Sequence, residues 1–388
     1  MSGAAPAPFP GLQPYRSLYV HVPFCGGGKC DYCAFYSLGH PTVAQKAAYL
    51  SCLEREFQAH AGECAPLESI FLGGGTPSSL SAGELEILLA QVRRHFALLP
   101  DCEWSCEANP DSLDEEKLSV LLAGGVNRLS LGIQSFQPSV RASLGRRGSL
   151  EGLEGLLRAA RQGGLRRLNL DLIYGAPGEG VDQWRQDLEI ALRLSPDHMS
   201  CYSLILEEGT PLAHRVRPPS SPREAEEQEE RFLECWRECD RLLGAAGLRR
   251  YEISNFAREG CHCRHNDQVW HGQTYLGCGP AAVSFNGLWR SANPQDLEDW
   301  LQGRAPERDL LPPEARRREI LAFGMRTTAG WEEGLLRLRT GLELQRVVHL
   351  PECRRLLQEG LLEFTGGWLA PTPRGLLLND TILEALIL

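Results

Sequence analysis

A chain of 388 residues, with 43% hydrophobic and 23% charged residues, has material for one large domain and a smaller one around a substantial core. Its net charge of −10 excludes a broad nucleic-acid footprint, and no apolar run approaches the roughly eighteen residues of a membrane span. Fourteen cysteines are many, but a chain this long and helix-rich is not a disulfide-stapled secreted scaffold, so they point to free thiols in a reducing, cytosolic setting.

Residues 1–16 are rich in Ala and Pro and lack both a basic start and an apolar core. They are expected to be a disordered leader, not a signal peptide. Six short apolar runs follow, at 18–22, 69–72, 103–106, 128–133, 168–173 and 199–206. They alternate with amphipathic stretches at 43–60, 81–96, 113–123, 150–163 and 181–194. This alternation predicts an α/β fold with a parallel sheet and right-handed crossovers, whether open or curled. In such a sheet the chemistry gathers at the carboxyl ends of the strands.

The first run ends in Phe24-Cys25-Gly26-Gly27-Gly28-Lys29-Cys30-Asp31-Tyr32-Cys33. Three thiolates are one ligand short of a closed zinc site or a fully protein-ligated iron–sulfur cluster. Spacing alone leaves open a cluster with one free iron, a zinc site completed from elsewhere, and unrelated thiols. After the second run, Gly73-Gly74-Gly75-Thr76-Pro77 can clasp a polar ligand through its main chain or simply turn the chain. Glu107, Gln134 and Asp171 stand at or near three further strand ends, where a lone polar residue is commonly a solvated rim. Arg146 offers a planar fork suited to a carboxylate.

Beyond the sixth run, 218–222 is a polar linker with prolines and 223–246 a charged amphipathic helix, whose Cys235 and Cys239 read as buried small hydrophobes. A strand-like run at 251–256 leads into Cys261-His262-Cys263-Arg264-His265-Asn266-Asp267-Gln268-Val269-Trp270. Its metal-ligand types are packed too closely for one ion to take them all. From about residue 300, helices at 314–325 and 350–359, a hairpin over 361–364 and 368–370, and a helix near 376–386 predict a small α+β domain.

The cysteine stretch resembles the cluster loop of the radical S-adenosylmethionine (SAM) superfamily. It is most similar to the branch that holds oxygen-independent coproporphyrinogen III oxidases and related heme chaperones. His21, Pro23, Phe24, Cys25, Cys30, Tyr32 and Cys33 stand in the order of that branch, with one extra residue between Cys25 and Cys30. The resemblance implies a partial (β/α)6 barrel over 17–217, an extension over 218–298 and a winged-helix-like C-terminal domain over 299–388. It further implies a [4Fe–4S] cluster on Cys25, Cys30 and Cys33, and SAM held by Tyr19, Gly74, Gly75, Thr76, Glu107, Gln134, Arg146 and Asp171. His265, Asn266 and Trp270 resemble the element that marks the heme chaperones, with Val269 in place of its Tyr, making His265 and Trp270 candidates for heme.

Within this branch two functions compete. The resemblance leans to a chaperone that carries heme as cargo to a membrane-associated hemoprotein, acting in the cytoplasm or at the inner face of the membrane. Its alternative is oxidative decarboxylation of porphyrinogen propionates. Phe35 stands where the oxidases have a fourth cysteine, the cluster loop follows a short leader, and the His265–Trp270 element belongs to the chaperones. Neither nucleic acid nor any particular oligomer is implied, a homodimer being left open.

Overall fold

The computed structural model describes residues 11–387, so the first ten residues of the expected leader lie outside it. The first strand, β1, is Tyr15–Val22 and begins inside the stretch read as leader. The other strands of the barrel are β2 Cys64–Gly74, β3 Leu98–Ala108, β4 Arg128–Gln134, β5 Arg167–Tyr174 and β6 His198–Ser203. All six run parallel in sequence order. A seventh parallel strand, β7 Tyr275–Cys278, adds to the free side of β1. Short antiparallel strands extend both edges, giving twelve strands in one sheet among the described residues.

Each crossover is a helix: α1 Val43–His60, α2 Ala82–His95, α3 Glu115–Gly124, α4 Leu153–Gln162 and α5 Val181–Arg193. Capping boxes, Thr42 with Gln45 and Ser81 with Glu84, start α1 and α2. Along the strands apolar and polar residues alternate, as a period of two demands. Leu18, Val20, Ile70, Leu72, Leu129, Leu131, Leu170 and Leu172 are buried in the core cluster that also holds helix residues such as Leu53, Leu88, Leu121, Leu157 and Leu188. The intervening Ser17, Ser69, Glu103, Ser130, Asn169 and His198 belong to the opposite face, which forms the lumen.

The sheet is curled. Tyr32, on the loop after β1, packs with Leu204, just after β6, in a cluster that also holds Leu144 and Ile173. The Leu212 amide donates to the Asp31 carbonyl at 2.9 Å, joining the same two ends of the array.

After β6 come α6 Pro222–Ala245 and α7 Arg264–Trp270. The run at 199–206 is strand only to Ser203, and that at 251–256 is strand only from Asn255, continuing to Ala257. The C-terminal domain has its own core around Leu321, Trp331, Leu336, Leu356 and Leu369. It combines α8 Pro313–Gly324 with a three-stranded sheet in which Trp331–Glu332 joins the expected hairpin. The Trp331 ring meets His271 edge-on at 5.1 Å and Arg339 donates to Gln273 at 2.7 Å, which docks this domain against the segment after α7.

Candidate functional site

At the carboxyl ends of the strands the loop after β1 folds back on itself, Phe24–Cys25 pairing in parallel with Leu38–Gly39. It is pinned by the Asp31 amide on the Leu144 carbonyl at 3.2 Å and by an Arg215–Asp31 ion pair. The surplus glycine is absorbed here. Gly28 has φ +89°, whereas Gly26 and Gly27 could carry a Cβ at ordinary contact distance.

Cys25, Cys30 and Cys33 are free and partly exposed on this loop. The Cys25 thiol lies 4.0 Å from the Thr76 hydroxyl, and Cys30 accepts from the Arg146 guanidinium at 3.4 Å. Burial pushes the Cys33 thiol up; the Phe35 amide and Lys29 oppose this, while Cys25 and Cys30 add to it. Among the described residues no three His, Cys, Asp or Glu side chains converge on a single ion. A cubane makes a different demand, because each thiolate meets its own iron and the ligands stand apart.

Beneath this loop, the end of β2 passes where side chains have no room. A Cβ on Gly74, which has φ +109°, would lie 2.9 Å from the His21 ring, and one on Gly75 would lie 2.6 Å from the Phe24 carbonyl. Thr76 accepts from Asn109 at 3.0 Å, and Asn109 accepts from Arg146 at 2.6 Å. Asn109 thereby ties the GGGTP loop to Arg146, which in turn reaches Cys30, a role that its sequence position did not signal. The Tyr19 hydroxyl reaches His21 at 3.2 Å.

Glu107 and Asp171 line the lumen. Burial, and then the like charge of Asp171, pushes the Glu107 carboxyl up to about 8 against the Gly74 amide. Burial raises Asp171 as well, although Ser130 donates to it at 2.8 Å and Asn169 at 2.7 Å. Among the described residues neither carboxylate has an ion-pair partner closer than 4.0 Å. Gln134 follows a bulge in the β4–β5 register, has φ +66° and leaves its buried Oε1 without a hydrogen-bond partner. A buried Glu107 with no cation beside it, a second acid within its field and an orphaned acceptor suit a cationic ligand with N–H donors, as the sulfonium and ammonium of SAM would be. The residues present fit that group.

The Radical SAM superfamily pattern matches residues 19–191, and the HemN C-terminal domain pattern matches 311–378. A Mycobacterium tuberculosis protein named Heme chaperone HemW is 36% identical over 99% of this chain and 98% of its own length. The chain belongs to the HemW branch of the radical SAM superfamily. A Bacillus subtilis HemW is 32% identical over 96% of this chain and 99% of its own. A mitochondrial radical SAM domain-containing protein 1 from Bos taurus is 34% identical over 100% and 90%. In three dimensions, the coproporphyrinogen III oxidase HemN from Escherichia coli superposes with a TM-score of 0.81 at 25% identity, over 96% of this chain and 90% of that one. The fold is thus the radical SAM α/β fold with a HemN-like C-terminal domain.

The element with His265 and Trp270 lies elsewhere. Helix α7 carries it into the lower part of the lumen, where His265 Nδ1 bonds Ser69 at 3.0 Å. Ser69 lies five residues before Gly74, the last residue of β2, which is about 16 Å of strand below the mouth. The His265 ring packs on Phe71 at 5.3 Å, and Phe71 stacks on Tyr19. Two aromatic rings therefore stand between this imidazole and the mouth. His265 is 5% exposed, and burial lowers it to about 4, so it stays neutral. The heme-ligand candidate is thus found enclosed, with Nδ1 on Ser69 and the ring on Phe71. Trp270 faces a different neighbourhood, the Arg326 guanidinium stacking over its ring at 4.4 Å beside Phe323. The structure does not bring the two candidates onto one surface, and His262 stacks outward on Tyr251 at 4.1 Å.

Proposed function

We propose that this chain is a heme chaperone that holds a [4Fe–4S] cluster on Cys25, Cys30 and Cys33, binds SAM beside it, and passes heme to a hemoprotein acceptor. The observation that carries the reading is the apolar rim of the mouth. Phe35, on the loop after β1, is 70% exposed, and Ile205 and Leu206, just after β6, are 66% and 45% exposed. Large apolar side chains left in water at the ligand end of a barrel favour a flat apolar cargo that is held loosely and surrendered. The whole-length relatives named as heme chaperones support the same reading.

When bound, cluster and SAM supply one-electron chemistry. The chain's own residues orient and shield them. Arg146 steadies the Cys30 thiolate through one terminal nitrogen and, with the other held by Asn109 and the Gly132 carbonyl, keeps a fixed positive charge beside the cysteine loop. Glu107 and Asp171 give a cation its counter-charge, and Gly74 and Gly75 let main-chain groups approach closely. In this reading residues 17–217 hold the cofactors, 218–298 complete the barrel, and 299–388 act as a docking module. The work is done in the cytoplasm, at the membrane surface when the acceptor sits there.

A second reading, coproporphyrinogen oxidation, is favoured by the likeness to HemN over nearly the full chain. Anaerobic reconstitution followed by parallel assays of heme retention and coproporphyrinogen decarboxylation separates the two. Retention without turnover is the expected result, and turnover would replace the chaperone with the oxidase.

A further inference from the structure

Beside the cysteine loop, on the outer side of the barrel mouth, lies a groove of about 480 Å³. Its walls combine two chemistries. Ala142, Leu212 and Val216 are apolar, while Arg215 and Arg217 are basic, and Asp31 closes the side towards the cysteines. The volume falls within the range of small-molecule sites.

The two arginines are not equivalent. Arg215 is held by Asp31 and donates to the Ser143 carbonyl at 3.2 Å, so its guanidinium is fixed in place. Arg217, exposed, has no ion-pair or hydrogen-bond partner among the described residues. The groove is thus an apolar trough with one anchored and one free guanidinium, in a chain whose net charge is −10. It calls for a ligand that is broad and apolar yet carries carboxylates at one edge. Guanidinium groups bind carboxylates through charge-assisted, often paired hydrogen bonds.

Resting on the heme reading above, we infer that this groove is the seat of the tetrapyrrole, its ring against Ala142, Pro177 and Val216 over the buried Leu212, and its propionate carboxylates on Arg217 and Arg215. The ligand then lies next to the cluster loop, whose Asp31 lines the groove while none of its cysteines does. This site owes nothing to His265, which is enclosed among Ser69 and Phe71. Recognition runs through ring and carboxylates, so iron is not required for it.

The test titrates the cluster-reconstituted full chain with heme, heme dimethyl ester, metal-free protoporphyrin and coproporphyrin, in wild type, Arg217→Gln and Ala142→Trp. Absorption or fluorescence reads binding; iron and sulfide content checks that each variant is intact. Wild type should bind heme about tenfold or more tightly than the ester, since each charge-assisted bond lost costs that much. Protoporphyrin should bind within about threefold of heme. R217Q should bring acid and ester to within about threefold of each other, and A142W should weaken every tetrapyrrole by filling the trough. Equal binding of acid and ester by wild type, or wild-type behaviour in both variants, would overturn the groove. Binding of coproporphyrin but not heme, with the same sensitivity to R217Q, keeps the groove and removes the chaperone reading.

Discussion

The two ends of the lumen are built from similar residue types to opposite effect. At the floor, most polar groups are paired: His265 with Ser69, Arg167 with Glu103 at 2.8 Å, and His198 with Asn169 at 2.7 Å and with Tyr251 at 2.8 Å, Arg128 Nη2 being the exception beside them. At the mouth they are left wanting. Glu107 has no cation, Gln134 Oε1 has no donor and its residue sits in a left-handed conformation, and three thiols without a disulfide share one loop. Burying polar groups without partners is costly, so satisfied networks mark structure and unsatisfied ones mark a place kept for a ligand. That contrast groups His265 with the paired floor, and Glu107, Gln134 and the cysteine loop with the mouth, where the proposed cofactors would sit.

Changing the two ends separately should break or sharpen this contrast. The largest effect is expected from Cys30→Ser, which should remove the cluster: iron and sulfide, near four each per chain in reconstituted wild type, should fall to background while circular dichroism keeps the folded signal. Next, His265→Ala should destabilise the chain by about 2–4 kcal/mol in urea unfolding, through the cavity and the stranded Ser69 hydroxyl. The folded fraction should retain iron and heme as wild type does. Loss of the heme spectrum in well-folded H265A would restore the imidazole as a heme ligand.

A pH series should show a subtler difference. Glu107 binds its proton more tightly in the folded chain than in the unfolded one, where its carboxyl titrates near 4.5. Its contribution to stability is therefore complete below pH 4.5 and is lost as pH rises towards about 8. His265, lowered to about 4, contributes in the opposite sense: stability present above pH 6.5 is lost as pH falls towards 4. Without SAM, Glu107→Gln should flatten the alkaline limb of unfolding free energy against pH, while His265→Gln should flatten the acid limb. The smallest effect is expected at the rim: Phe35 does not line the groove, so Phe35→Ser should slow heme uptake by about threefold while leaving the heme Kd and unfolding unchanged.

Much of this was legible in the sequence where a local pattern had a single physical outlet. The apolar runs alternating with helical stretches could only become a parallel sheet, and the α1 stretch, opened by Thr42 and Gln45, was readable to its ends. The cysteines and the Gly73–Gly75 turn were visible because thiol spacing and missing side chains leave marks in one chain segment. What escaped depends on distant neighbours. Strand β7 looks like a glycine loop, and its Gly277 is there because a Cβ would strike the Val283 carbonyl. Asn109 matters only because Arg146 and Thr76 come to it from two other loops. The surroundings of His265 escaped for the same reason. Its residue types suit a cofactor, but only the fold shows that Ser69 and Phe71, nearly two hundred residues earlier, pack on the imidazole.

The most direct test of the contrast between mouth and floor is a calorimetric titration of SAM into cluster-reconstituted protein, comparing wild type, Glu107→Gln and His265→Gln. The expected result is binding in wild type and H265Q with closely similar Kd, and a loss of at least about tenfold in E107Q. Undiminished SAM binding by E107Q, or its loss in folded H265Q, would contradict the assignment of the cofactor site to the mouth.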